Sequence, residues 1–235
     1  MIRIMAFLNP YRLLFNALLL AVSALFTGQV WAVTITNFSF ESPNAPVNPN
    51  FGCPPGWTCS PSGPPGPALQ GGVYTPTSTQ YAPGADGLPG SQIVPNGQQA
   101  AFFSISQPVQ SLTQNTAATF VTGVNYTLSA WVGWRNDNTG TWSPDAKIEF
   151  LSAGTVVKTS LVIPSPGQGQ WHRVVLNYLA TAADSGKQIG VGLLGSTGNV
   201  QINWDNVTLV PEPTTLLLLG LGFALLAFST RRTKI

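Results

Sequence analysis

The sequence predicts an all-β protein, an antiparallel β-sandwich, on three observations. Apolar and polar residues alternate with a period of two through most of residues 99–209, the pattern of strands with one buried and one solvated face. Gly, Asn, Asp and Pro separate these runs at short intervals, and those residues supply turn backbone. No convincing amphipathic helix interrupts them; the one exception is a helical turn expected near residues 113–120.

Taken in order, residues 35–41 read as a first strand. Residues 42–96 are a long irregular stretch dense in Pro and Gly, with a short strand at 72–74. The stretch is too short and aperiodic for a collagen helix. Residues 99–105 then put Ala101, Phe103 and Ile105 on one face. Residues 126–135 align Tyr126, Leu128, Ala130, Val132 and Trp134, with Thr127, Ser129, Trp131 and Arg135 opposite. Ala146, Ile148 and Phe150 alternate with Asp145, Lys147 and Glu149. Strands follow at 156–163, at 172–180 (Val174, Leu176 and Tyr178 inward), at 189–194 and at 200–209.

The two ends are targeting segments rather than fold. Arg3 and Arg12 precede an apolar stretch at 13–26, and Val30-Trp31-Ala32 suits a cleavage site. Residues 1–32 therefore read as a signal peptide for the Sec translocon, cut after Ala32 by signal peptidase. At the other end stand Pro211, Glu212 and Pro213, an uncharged apolar run at 214–228, then Arg231, Arg232 and Lys234. The prolines block a helix upstream, and Glu212 suits the positive end of a helix starting after it. The run is about 15 residues, short of the ~20 that cross a bilayer squarely. The basic end leaves the body outside the cytoplasm.

This order resembles the PEP-CTERM protein-sorting signal. The resemblance implies export by a Gram-negative bacterium and anchorage in the inner membrane through the C-terminal helix. An exosortase then cuts near Pro-Glu-Pro and moves the protein to the cell surface or extracellular matrix. Without the resemblance, an uncut membrane anchor stays open. The expected organisation is a signal peptide at 1–32, one sandwich domain at 33–209 and a sorting signal at 210–235.

The body alone carries five basic residues (Arg135, Lys147, Lys158, Arg173, Lys187) against seven acidic ones (Glu41, Asp86, Asp137, Asp145, Glu149, Asp184, Asp205). No basic stripe remains, which argues against nucleic acid as a partner. Cys53 and Cys59, in Cys-Pro-Pro-Gly-Trp-Thr-Cys, are expected to form a disulfide in an oxidising compartment and to hold Trp57 in place. Phosphate loops and dinucleotide fingerprints are absent. The single histidine, His172, comes without a Gly-x-Ser-x-Gly elbow. Asp145 and Glu149 share a strand face and read as a solvated face. No residue is assigned a catalytic role, and the protein is expected not to be an enzyme.

A second resemblance spans nearly the whole body. Asn37-Phe-Ser-Phe-Glu41 opens it, and Gly56-Trp57 and Gly123-Val-Asn-Tyr126-Thr-Leu follow. Trp171 then precedes Ala182-Ala-Asp184-Ser-Gly186, and Trp204-Asp205-Asn206-Val207-Thr-Leu closes the domain. This set resembles the galactose-binding-like jelly roll of carbohydrate-binding modules of the family 4/9/22 type. The resemblance implies a structural Ca2+ joining the first strand to the last, with Glu41 and Asp205 at the matching positions and Asn37 and backbone carbonyls as helpers. Calcium takes six to eight oxygens, which such a set can begin to supply. Trp171 and Trp204 match core positions of these modules.

A pyranose ring needs a flat aromatic face beside polar groups. Trp131, Trp134, Trp142 and Trp57 are the candidates, with exopolysaccharide as the partner.

The same scaffold underlies the calcium-dependent Stig cyclases of cyanobacterial indole alkaloid pathways. They resemble this chain in an Asn-x-Ser-Phe-Glu start, a Gln-Ala-Ala-Phe segment (99–102) and a terminal Asp-Asn-Val. In them the first acid of Asp-x-Asp-Asn-Val is the implied proton donor. Here that position is Asn203, which cannot protonate a substrate. The expectation is a non-catalytic, calcium-stabilised surface or matrix protein that binds exopolysaccharide. A purely structural matrix protein and a cyclase-like enzyme are the alternatives.

Overall fold

The computed structural model describes residues 32–212 apart from 46–48, 61–70, 86–87, 89, 104–109, 139, 143–145 and 196–199. Eleven strands run through these residues: β1 (Asn50–Phe51), β2 (Thr58–Ser60), β3 (Gly71–Tyr74), β4 (Ala100–Phe103), β5 (Gln110–Thr119), β6 (Asn125–Trp134), β7 (Lys147–Ser152), β8 (Thr155–Thr159), β9 (Gln170–Leu179), β10 (Gln188–Gly195) and β11 (Ile202–Pro211). They form two sheets, ordered β1-β3-β4-β11-β6-β9 and β2-β5-β10-β7-β8. Every pairing between strands is antiparallel. The all-β antiparallel sandwich is the fold that the alternation predicted.

The inner faces follow the sequence pattern. Tyr126, Leu128, Ala130 and Val132 of β6 lie beside Val174 and Leu176 of β9 and Ile202, Trp204, Val207 and Leu209 of β11. Ile148 and Phe150 of β7 and Ile189, Val191 and Leu193 of β10 join them in one core. Trp171 and Trp204 are both fully buried, as expected, but Trp171 belongs to a second cluster on the outer face of the six-stranded sheet. Burying a large aromatic of this kind stabilises by roughly 3–5 kcal/mol relative to alanine.

Two expectations about elements are corrected. Residues 35–41 are not a strand: Val33 makes an isolated bridge to Leu209 and residues 36–39 form a turn. Asn37 (φ 49°) and Phe40 (φ 56°) adopt left-handed backbone, which breaks any ladder. The expected helical turn at 113–120 lies largely in β5, where Leu112, Gln114 and Thr116 face inward and alternate with more exposed neighbours. Its Gln and Thr residues hid the period-2 pattern. The stretch 42–96 carries the expected short strand as β3, with β1 and β2 besides, and its Tyr81, Leu88, Ile93 and Val94 pack over the outer face of the six-stranded sheet. Finally, β11 runs through Pro211, in register with Tyr126.

Among the described residues no helix is long and apolar enough to cross a membrane. The apolar run at 214–228 lies outside them, as do the signal peptide up to residue 31, Pro213, Arg231 and Arg232.

Candidate functional site

Two carboxylates meet across the segment 96–99. Asp205 sits on β11, its side chain is 0% exposed, and its Oδ2 accepts from the backbone N–H of Asn96 at 2.7 Å. Its Oδ1 accepts from the Asn206 N–H at 2.6 Å. Glu41 leaves the opening turn, and its Oε1 accepts from the N–H groups of Gln98 and Gln99, both at 2.9 Å. Gly97 lies between these donors with φ 68°, and a Cβ there would overlap the Glu41 carboxylate. Burial pushes the Asp205 carboxyl well above its ordinary pKa, the two backbone N–H groups oppose that shift, and the Glu41 charge adds to it. No lysine or arginine among the described residues pairs with Asp205. A buried carboxylate beside a second one, without a basic partner, is disfavoured as an anion, and a cation would offset that cost. Two such carboxylates are the kind of hard oxygen donors that a calcium ion takes. Among the described residues no cluster of three or more His, Cys, Asp or Glu side chains forms.

Asn37 serves the turn itself. Its Oδ1 accepts from Ser42 N at 3.1 Å, and its Nδ2 donates to the carbonyls of Ser42 (2.7 Å) and Pro55 (3.4 Å). The sequence reading missed Gln99, which is 2% exposed. Its Nε2 donates to the Phe40 and Pro43 carbonyls and its Oε1 accepts from Ala45 N, so one buried amide clamps the turn that carries Glu41. A glutamine heading the apolar run Ala100–Phe103 was the available signal.

Cys53 and Cys59 form the expected disulfide. Trp57, held in its loop, is 6% exposed and packs into the core, with its ring 5.3 Å from that of Phe40. This corrects its place among the sugar-stacking candidates, because a buried ring offers no face to a ligand. Trp134 and Trp142 pack on each other at 5.9 Å and against the core. Their indole N–H groups donate to the carbonyls of Asn138 and Ile163. The turn between them is braced: Arg135 pairs with Asp137 and holds that carboxyl below the ordinary range, while Gln80 also donates to it.

The outer face of the six-stranded sheet divides in two. At one end Asn203 is 0% exposed. Its Oδ1 accepts from the Tyr81 hydroxyl at 2.7 Å and its Nδ2 donates to the Ala101 carbonyl at 3.4 Å. The Tyr81 ring stacks on Trp171 at 4.5 Å, and Leu88, Val94, Phe102 and Tyr74 close around it. Burial pushes the Tyr81 phenol up, so it stays a donor. Gly133, in register with Asn203 and Trp171, makes this possible, since a Cβ there would stand 2.6 Å from the Tyr81 hydroxyl. Toward the other end the face is open. Thr127 and Asn177 hydrogen-bond across it at 2.9 Å, with Val175 48% and Leu179 60% exposed. Trp131 is half-buried at the border, packed against the covered cluster and in register with Arg173.

Fold and tail together define an exported β-sandwich protein with a sorting signal. Residues 31–210 match the HpiC1-like family, described as HpiC1 cyclase, and the chain belongs to that family. Residues 209–232 match the PEP-CTERM protein-sorting motif, which implies a secreted protein processed by an exosortase. A cyclase from Fischerella sp. TAU has a similar structure, with 22% identity over 79% of this chain and 98% of its own, and a TM-score of 0.66. The Stig cyclase Fisc from the same organism, in complex with (3Z)-3-(1-methyl-2-pyrrolidinylidene)-3H-indole, gives 21% identity over 79% and 99%, with a TM-score of 0.64. The CBM22-1 xylan-binding domain of Paenibacillus barcinonensis Xyn10C gives 14% identity over 74% and 91%, with a TM-score of 0.41. Among curated protein sequences none matches this chain. The similarity to the two Fischerella cyclases establishes a shared fold, and activity has to be argued from the residues.

Proposed function

We propose that the chain is a non-catalytic member of its cyclase family: a calcium-stabilised sandwich sorted to the bacterial surface or matrix, with exopolysaccharide as its partner. One observation carries the non-catalytic reading. The position where a proton-donating acid is expected on the last strand is Asn203, whose amide has no proton to give at neutral pH. It is moreover sealed under Tyr81, and the Tyr81 ring is backed by Trp171. An indole-sized substrate would have to expel that tyrosine from a hydrogen bond and a stacked contact. Incubation of the calcium-loaded protein with an isonitrile indole precursor is expected to give no product above a protein-free control. A cyclised product would overturn the reading.

Glu41 and Asp205 would hold the calcium, whose positive charge when bound would offset the burial of the Asp205 carboxylate. The chain's own contribution is positional. The N–H groups of Asn96, Gln98 and Gln99 orient one oxygen of each carboxylate, and the Gln99 side chain fixes the turn behind Glu41. For the polysaccharide, Trp131 is the aromatic candidate that borders the open half of the outer face. Trp131→Ala is expected to release the protein from the producing strain's polysaccharide with the fold unchanged, whereas Trp142→Ala is expected to leave retention intact. Equal retention by all three proteins would favour a purely structural matrix role.

A further inference from the structure

We propose that the Cys53–Cys59 disulfide is the latch of the carboxylate site, so that Glu41 and Asp205 take up their cation firmly only after the chain reaches an oxidising compartment. This rests on the reading of that pair as a divalent-cation site.

The route from the disulfide to the carboxylates is continuous. The bond joins Cys53 to Cys59. Cys59 lies in β2, a strand of three residues at the edge of the five-stranded sheet, paired to β5. The enclosed loop carries Trp57, whose N–H donates to the Pro54 carbonyl at 3.0 Å. The Trp57 ring supports Phe40, the residue before Glu41, and its Nε1 donates to the Asn37 carbonyl at 3.3 Å. The Pro55 carbonyl in the same loop accepts from the Asn37 side chain. Three contacts thus fall from one closed loop onto the turn that presents Glu41.

Within that turn the Asn37 side chain bonds Ser42 and the Phe40 N–H donates to the Asn37 carbonyl. Asn37 and Phe40 hold left-handed backbone, which non-glycine residues leave readily when their surroundings loosen. From outside, Gln99 braces one side, the paired hydrogen bonds between Gln114 and Thr36 the other, and the Val207 N–H donates to the Phe38 carbonyl. With the bond open, β2 and the loop lose their closure and the Trp57 contacts become intermittent.

The bond forms by thiol–disulfide exchange. The two thiols give up two protons and two electrons to a disulfide oxidant of the export compartment, which leaves as its dithiol while the Cys53 and Cys59 sulfurs join.

The test uses the full chain in detergent, with calcium affinity read by titration calorimetry and folding by circular dichroism. Oxidised wild type is expected to bind calcium, and Cys53→Ser/Cys59→Ser to bind it at least about tenfold more weakly, the factor for a cradle assembled about a tenth of the time. Trp57→Phe keeps the disulfide and the packing but loses the Asn37 hydrogen bond, and is expected to fall in between; it carries the test should the double variant not fold. Equal affinity in wild type and the folded double variant, or in wild type and Trp57→Phe if the double variant does not fold, would overturn the latch. No calcium binding by oxidised wild type, with Asp205→Asn unchanged from it, would instead sink the cation site itself.

Discussion

At the scale of single residues, Gly97 decides how close the segment 96–99 can come to Glu41. Its left-handed backbone and missing side chain let the N–H groups of Asn96, Gln98 and Gln99 reach two carboxylates. Gly97→Ala is therefore expected to cost roughly 1–3 kcal/mol through backbone strain and to push Glu41 aside. Measured by thermal melting, wild type should lose stability when calcium is chelated, and Gly97→Ala should start lower and respond less. A melting temperature indifferent to calcium in both proteins would remove the site. The acidic pair itself was legible in the sequence, because Glu41 and Asp205 stand in motifs at the two ends of the body. The roles of Gln99 and Tyr81 were not. Each acts across more than 50 residues of chain, at separations of 59 and 122, where local patterning carries no information.

At the scale of elements, the long strands were readable and the short ones were not. Ten-residue strands such as β6 and β9 repeat the alternation often enough to declare themselves, whereas β1 and β2 have two and three residues. The opening turn was misread because Ile35 and Phe40 are both buried without any strand between them. The 3-10 turn at Ala182–Asp184 gives a sharper case. Asp184 is buried, which raises its pKa, yet hydrogen bonds from Thr181 and the Tyr178 hydroxyl prevail and hold it at about 2. A carboxylate held below its ordinary value near ~3.9 stabilises the fold fully above that pH. That contribution is lost as pH falls through about 2. Asp184→Asn should accordingly flatten the acid limb of a stability-versus-pH curve over this window and lower stability at neutral pH. An unchanged limb would mean that other carboxylates control acid unfolding.

At the scale of the whole molecule, the sandwich and the sorting motif share a boundary. The family match ends at residue 210, the motif begins at 209, and β11 runs to Pro211. Cleavage near Pro-Glu-Pro would leave the last strand nearly whole. The intact mass of protein recovered from the medium is expected to correspond to a chain ending within residues 210–213 when the matching exosortase is present. Retention of the full tail in both strains would make this an ordinary anchored domain.

The strand order sets a clock on the whole process. Of the described strands β11 is the last to be synthesised, yet it lies in the interior of the six-stranded sheet, with β4 on one side and β6 on the other. Its Leu209 also holds the bridge to Val33 at the start of the domain. Until residues 202–211 have emerged, β4 and β6 have no neighbour to join them. Pairings over such sequence distances form slowly. The β3–β4 and β6–β9 halves of this sheet thus join only once the final strand is available between them.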